Sequence, residues 1–155
     1  MAQPTGNGTE TLHSHIYETV QNTSVTPRNL INGVQHHVYT VLSIIICSRS
    51  LDTATNKFTL AIKGWDNTIG TTQQTIKIFS QVIPAGTTFV WNDKFSMFGT
   101  EPTGAGQFDT DANDQTKLSE QGGSAIQRVM CWTDSANDQY DITVSYIDQD
   151  WSGSN

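Results

Sequence analysis

Hydrophobic and polar residues alternate along most of this chain in short runs, and turn residues separate the runs. The densest apolar run, HVYTVLSIIIC at residues 37–47, is rich in β-branched side chains, which favour a strand over a buried helix. Strict alternation divides its apolar side chains into two faces, with Val38, Leu42, Ile44 and Ile46 on one and Tyr39, Val41, Ile45 and Cys47 on the other. A strand that is apolar on both faces is expected to lie centrally, between two layers.

Six further segments have strand-like patterns and are bounded by turn residues such as Asn32-Gly33 and Pro84-Ala85-Gly86. They are residues 15–25, 57–64, 74–83, 87–95, 124–133 and 140–147. In the first of them, Ile16 and Val20 alternate with polar neighbours. No segment has the period of an amphipathic helix. The pattern therefore predicts an all-β chain, a single-domain antiparallel β-sandwich of the jelly-roll-like kind.

The composition of the two ends and of one internal segment sets the expected domain organisation. Residues 1–14 contain few large apolar side chains, and we expect an extended N-terminal arm that a partner orders. Residues 15–148 form the predicted β-sandwich domain, and residues 149–155 form a polar C-terminal tail. Residues 99–116 contain one large apolar side chain and predict a long loop, of a length that is usually functional or disordered.

Charge and hydropathy exclude several classes of partner. The chain of 155 residues carries 8 basic and 15 acidic residues, a net charge of −7, and its basic residues are scattered singly. This charge argues against a nucleic-acid partner, because a phosphate backbone requires a basic face. No apolar run approaches the length of a membrane span, so no membrane partner is expected. The N-terminal residues lack the basic and apolar segments of a signal peptide, which predicts synthesis in a cytoplasm.

One string of residues has the spacing of a calcium-binding loop, namely Asp109, Asp111, Asn113 and Glu120. The sixth position of the loop is Asp114, where the sharp turn of a calcium loop requires glycine, and no helix is expected on either side. We therefore favour a solvated acidic loop, predict no metal cofactor, and keep these four residues as a weak calcium candidate.

The histidines and cysteines also lack the spacing of a metal site. His36 and His37 are adjacent, so in a strand they point to opposite faces, and we interpret them, with His13 and His15, as ordinary surface histidines. Cys47 and Cys131 fall in predicted strands. A bridge between two sheets is conceivable, but free buried thiols are favoured in a reducing compartment.

No motif of nucleophilic, phosphate-binding or paired acid–base chemistry is present in the sequence. The sequence consequently predicts a protein that is not an enzyme and needs no cofactor. Its four tryptophans leave open a carbohydrate-binding module for host attachment, which would use Trp151 and the acidic loop.

Residues 37–148 resemble small virion proteins of tailed bacteriophages, especially those of cyanophages. The matching elements, in order, are the strand ending in Cys47, Ile83-Pro84-Ala85-Gly86-Thr87-Thr88-Phe89-Val90, Lys94-Phe95, the turn from Leu118 to Gly123, and Asp141-Ile142-Thr143-Val144-Ser145-Tyr146. The chain departs from that pattern in the insertion at residues 99–116 and in the arm that precedes His15. The resemblance implies a non-enzymatic β-sandwich that is incorporated into the virion.

Within the virion, we expect a capsid decoration or cement protein that binds the major capsid protein and copies of itself, as a trimer. A neck, tail, baseplate or fibre component is the alternative. The expected contact residues lie in the arm, the long loop and the tail, and are Gln3, Pro4, Thr5, Leu12, Phe108 and Trp151.

Overall fold

The computed structural model describes residues 9–34, 37–65, 73–99 and 126–150. These residues form nine strands and no helix, so none of them belongs to an apolar helix that could cross a bilayer. The strands are β1 (Thr9–Val20), β2 (Arg28–Asn32), β3 (His37–Ser50), β4 (Phe58–Trp65), β5 (Gln73–Gln81), β6 (Thr88–Trp91), β7 (Phe95–Phe98), β8 (Arg128–Thr133) and β9 (Gln139–Asp150). The prediction of an all-β fold is confirmed.

The strands form two antiparallel sheets that pack as a β-sandwich. Sheet A has the order β1-β9-β3-β6, and β7 also pairs with β3. Sheet B has the order β2-β8-β4-β5. We call the face of each sheet that points toward the other sheet its inner face, and the opposite face its outer face. β3 is central in sheet A, as its composition predicts, but the second layer formed by the described strands covers only its inner face.

A β-bulge at Leu42 changes which side chains of β3 point into the core. The pairing with β9 shifts by one residue between Val41 and Ser43. Tyr39 and Val41 are therefore buried before the bulge, whereas Ile44 and Ile46 are buried after it. The two faces that strict alternation predicts for this strand are wrong, because one inserted residue reverses the alternation.

The core consists of the inner-face side chains of the two central strand pairs. Its fully buried members include Ile44, Ile46, Ile142 and Val144 from sheet A, and Phe58, Leu60, Val129 and Cys131 from sheet B. Aromatic rings extend the core toward the β5 and β6 edges, with the ring centroids of Phe58 and Tyr140 4.9 Å apart and those of Phe79 and Phe89 5.0 Å apart. Phe58 and Leu60 point inward on β4, as the alternation of that strand predicts.

Three predicted boundaries differ from the structure. β1 begins at Thr9 and pairs with β9, so residues 9–14 of the expected arm belong to sheet A. The segment predicted as one strand over residues 87–95 is interrupted at residues 92–94 and forms β6 and β7, which pair with different parts of β3. β9 extends to Asp150, two residues into the expected tail.

Two glycines bring the sheets together at one end of the sandwich. The Gly33 nitrogen donates a hydrogen bond to the Gln127 carbonyl (2.8 Å), and the Gln127 nitrogen donates one to the Gly99 carbonyl (2.9 Å). The Gly99 nitrogen in turn donates to the carbonyl of His37 in sheet A (2.8 Å). A Cβ atom on Gly33 would collide with the backbone of Gly99, and one on Gly99 would collide with the backbone of Val34, so larger residues do not fit this junction.

Both cysteines are free thiols. Cys131 is buried on the inner face of sheet B, and Cys47 is half-buried on the outer face of sheet A, opposite Asp141. Of the two arrangements that the sequence left open, the structure has the unbridged one.

Candidate functional site

The outer face of sheet A carries three consecutive rows of uncharged side chains. Partners in an antiparallel pair lie on the same face, so the strand register gives the composition of each row. The first row is Leu12, Ile147, Thr40 and Ser96. The second row is Ser14, Ser145 and Ser43. The third row is Ile16, Thr143, Ile45 and Val90. Hydrogen bonds between Thr40 and Ser96 (3.2 Å) and between Ser145 and Ser14 (3.4 Å) join neighbouring strands within these rows.

Four aliphatic side chains of these rows are exposed to solvent. The exposed fraction is 69% for Leu12, 71% for Ile16, 39% for Ile45 and 51% for Val90. Single exposed aliphatic residues are ordinary on protein surfaces, but a continuous face that carries several of them is typical of an interaction site. The outer face of sheet A is therefore the candidate interaction surface of this protein.

At each end of these three rows, the next row of the described strands carries an ionisable side chain. Glu10 lies one row beyond the Leu12 row, and Asp141 lies one row beyond the Ile16 row. A protein with a net charge of −7 repels its own copies at long range. Because the three central rows carry no charge, a like-charged copy can approach this face without placing carboxylates against each other.

Strand β1 adds a second means of association beside this surface. It is 12 residues long, and among the described strands it pairs only with β9. Its other edge presents backbone N–H and C=O groups to which an extended segment of a partner could add as a further strand. The exposed side chains of Leu12 and Ile16 adjoin that edge.

A cluster of histidine, tyrosine and aspartate side chains lies on the inner face of sheet A, at the end where β1 begins and β9 ends. The His37 Nδ1 atom is 2.7 Å from Asp148 Oδ1, and its Nε2 atom is 3.3 Å from Asp150 Oδ1. The His13 ring stacks on Tyr146 with a centroid distance of 5.0 Å. Burial, reinforced by the Asp148 carboxylate, raises the pKa of the Tyr39 hydroxyl beneath the cluster.

The geometry of this cluster gives it a structural role. Both ring nitrogens of His37 face carboxylate oxygens, so the ring joins the start of β3 to the end of β9. His13 Nε2 lies 3.9 Å from the second oxygen of Asp148. Within the described ranges, no three histidine, cysteine, aspartate or glutamate side chains converge in an arrangement that could hold a metal ion. The cluster instead connects the first residues of β1 and β3 to the end of β9.

Among the predicted contact residues, the structure describes Leu12, which lies on the outer face of sheet A. Gln3, Pro4, Thr5, Phe108 and Trp151 lie outside the described residues. The weak calcium candidates also lie outside the described residues: Asp109, Asp111, Asn113 and Glu120.

Sequence reasoning missed most of the outer face because two bulges reverse the alternation. A register shift between Tyr17 and Val20 leaves Val20 buried and Ile16 exposed, although the two residues are four apart in the chain. The cluster had a detectable signal, because His13 and His15 stand two apart in one strand and so do Asp148 and Asp150.

No protein-family model matches this chain, and no curated protein matches it. Its fold is similar to that of the CBM22-1-GH10 modules of Clostridium thermocellum endo-1,4-β-D-xylanase 10B complexed with xylohexaose, with a TM-score of 0.40 and 10% identity over 94% of this chain. It is also similar to a chain of the infectious bursal disease virus Gx strain, with a TM-score of 0.41 and 9% identity over 97% of this chain. The match spans 26% of the first of those chains and 33% of the second, and at this level of likeness neither protein's function transfers.

Proposed function

We propose that this chain is a non-enzymatic structural protein of a phage virion that binds copies of itself and a larger protein of the particle. The observation that carries the proposal is the outer face of sheet A, with its three uncharged rows and exposed Leu12, Ile16, Ile45 and Val90. Covering such a face is favourable by about 25 cal/mol per Å² of apolar surface that leaves water. A partner of complementary shape would therefore bind without any charged contact.

Within the virion, we propose the role of a capsid decoration or cement protein that binds the major capsid protein and forms a trimer with its own copies. A capsid repeats one contact many times, so a modest contact per copy gives firm attachment through avidity. The edge of β1 that pairs with no described strand lies next to the exposed rows, which permits one continuous contact of backbone and side chains. A place at the neck, tail or baseplate would use the same face, and the position of the protein in a cryo-EM map of the particle separates the two assignments.

Two substitutions on the outer face of sheet A and one matched control test the proposal. Ile16→Glu and Ile45→Glu place a carboxylate within the uncharged rows. Ile76→Glu is the control, because Ile76 is an exposed isoleucine of sheet B with an exposed fraction of 72%, against 71% for Ile16. Self-association is measured by sedimentation velocity, and attachment is measured by co-sedimentation with particles that lack the protein.

We expect both variants of sheet A to lose self-association and particle attachment while keeping their far-ultraviolet circular dichroism spectra. The Ile76→Glu control should associate and attach like the unmodified protein. Unchanged assembly of both Ile16→Glu and Ile45→Glu would refute the proposed role of this face.

A further inference from the structure

A groove of about 490 Å³ lies on the outer face of sheet B, remote from the surface of sheet A. Its floor is formed by outward-facing side chains of β4, β5 and β8. One wall is the connection between β1 and β2, which includes Ser24, Val25 and Pro27. We call this feature the outer groove of sheet B.

Hydrogen bonds fix the wall of the groove in place. The Thr133 nitrogen donates to the Asn22 carbonyl (2.7 Å), and the Asn22 side chain donates to the Thr26 carbonyl (2.9 Å). The Thr26 nitrogen donates to the Thr23 carbonyl (3.1 Å). The groove is thus a preformed feature of the fold, and a ligand would not have to order this wall when it binds.

Three cationic side chains converge on the groove, and none of the described residues that line it is acidic. Arg128 and Lys63 are cross-strand partners, and Lys77 lies in the next row, opposite Ala61. None of the three forms an ion pair with a described residue. These are three of only eight basic residues in a chain with a net charge of −7. Like charges on adjacent strands repel each other, so the protein gains nothing in stability from placing them together.

The guanidinium group of Arg128 is also incompletely paired. Its Nε atom is buried and has no hydrogen-bond partner among the described residues. Buried donors without an acceptor are costly and uncommon in folded proteins, so such a group calls for an explanation. The buried Nε atom is itself out of a ligand's reach, but Arg128 lines the groove, where an anionic group would pair with the terminal nitrogens of the guanidinium.

The remaining lining residues indicate the class of the anion. The half-buried Trp132 offers an apolar ring face, while Asn29, Thr75 and Ser24 offer neutral donors and acceptors. Apolar walls with a few convergent polar groups, in a volume between about 300 and 1,000 Å³, are typical of sites for small organic ligands. The groove is larger than a single inorganic anion requires.

We infer that the outer groove of sheet B binds a saccharide that carries carboxylate or sulfate groups. The acidic groups pair with Lys63, Lys77 and Arg128, the sugar ring lies against Trp132, and its hydroxyls bond the neutral polar side chains. A nucleic acid fits less well, because three cations offset few phosphates and the net charge of −7 repels a long polyanion. The inference concerns a different face from the proposed assembly surface and does not depend on it.

The test is a calorimetric titration of the full chain with a trisaccharide of galacturonic acid and with the neutral galactose trisaccharide. We expect the acidic sugar to bind and the neutral sugar not to bind. Lys77→Gln and Arg128→Gln should each weaken binding by about tenfold or more, the effect of losing one charge-assisted hydrogen bond. Trp132→Ala should weaken binding without changing any charge.

Lys94→Gln is the matched control, because Lys94 is exposed in the turn between β6 and β7 and its substitution changes the net charge equally. This variant should bind the acidic sugar like the unmodified protein. Thermal melting followed by circular dichroism verifies that each variant is folded.

Three results would overturn the inference. The first is equal binding of the acidic and neutral sugars. The second is sulfate ion binding as tightly as the acidic trisaccharide, which would leave only a simple anion site. The third is binding of a peptide with the acidic sequence of residues 107–116 in the absence of sugar binding, which would make the groove a contact between copies.

Discussion

At the scale of single residues, the buried carboxylate of Asp138 joins two connections of the fold. It has no exposed surface and accepts hydrogen bonds from the backbone nitrogens of Asp52 (2.8 Å) and Ser135 (3.1 Å). It also accepts from the Asn56 side chain, at 3.0 and 3.2 Å. The connection from β3 to β4 is thereby held against the turn that precedes β9.

Replacing Asp138 with alanine should destabilise the protein by about 3 kcal/mol, because several buried donors would lose their acceptor. The control is Asp134→Ala, since Asp134 is exposed and accepts one hydrogen bond, from the Lys57 nitrogen (2.9 Å). That variant should lose about 1 kcal/mol or less. Urea denaturation measures both values, and equal losses would contradict the role given to Asp138.

A buried cysteine thiol and a buried tyrosine hydroxyl should make the stability of the protein decline at alkaline pH. Burial raises the pKa of the Cys131 thiol from 9.0 to about 12, and burial together with the Asp138 carboxylate raises that of the Tyr140 hydroxyl from 10.0 to about 12. A raised pKa means that the folded state keeps a proton that the unfolded state releases. Stability is therefore complete below about pH 9 and declines as the pH rises toward 12.

In the unmodified protein, the free energy of unfolding should begin to fall near pH 9, with a slope approaching about 1.4 kcal/mol per pH unit for one thiol. In Cys131→Ala the free energy of unfolding should begin to fall about one pH unit higher, where the tyrosines of the unfolded chain start to ionise. Cys47→Ala is the control and should keep the early onset, since Cys47 is only half-buried. Urea titrations at several pH values give the onset, and an unchanged onset in Cys131→Ala would refute this assignment.

At the scale of elements, composition predicts which strands exist better than it predicts where their side chains point. The β-branched run at residues 37–47 identifies the central strand β3, and turn residues delimit most of the others. Alternation does not predict the bulge at Leu42, because no residue type marks it, and one extra residue reverses every later position.

Substitutions at two neighbouring isoleucines test the orientation that this bulge imposes on β3. Ile44 is fully buried against sheet B, whereas Ile45 has an exposed fraction of 39% on the outer face. Ile44→Ala should cost about 3 kcal/mol, because it removes buried apolar surface and leaves a cavity. Ile45→Ala should cost less than about 1 kcal/mol. Urea denaturation of the two variants distinguishes these outcomes, and the reverse order would mean that the bulge lies elsewhere.

The outer groove of sheet B also depends on a bulge and could not be predicted from the sequence. Lys63, Lys77 and Arg128 are separated by up to 65 positions, and only strand register brings them together. The pairing of β4 with β5 shifts between Leu60 and Ala61, so Lys77 and not Ile78 lies opposite Ala61. Scattered basic residues in the sequence thus become one cationic site.

At the scale of the whole molecule, the two outer faces of the sandwich differ in chemistry. The face of sheet A is uncharged across three rows and exposes aliphatic side chains. The groove on sheet B carries three cations, and the described part of its lining holds no acidic side chain. Because the core separates them, each face can hold its own partner, one through apolar burial and the other through charge.

Added salt should therefore act in opposite directions on the two faces. Raising the ionic strength from about 0.05 M to about 0.5 M shortens the Debye length from more than 10 Å to less than 8 Å, which screens the cations of the groove. Affinity for the acidic trisaccharide should fall. Self-association through sheet A should hold or strengthen, because the repulsion between chains of net charge −7 is screened and the apolar contact is not weakened.

Calorimetry measures the sugar affinity and sedimentation velocity measures the association in the same series of buffers. Ile45→Glu provides a control within the series, because its effect on sugar binding should be small at every salt concentration. If both equilibria weakened together as salt increased, charged contacts would hold the copies together, and the uncharged face of sheet A could not be their main interface.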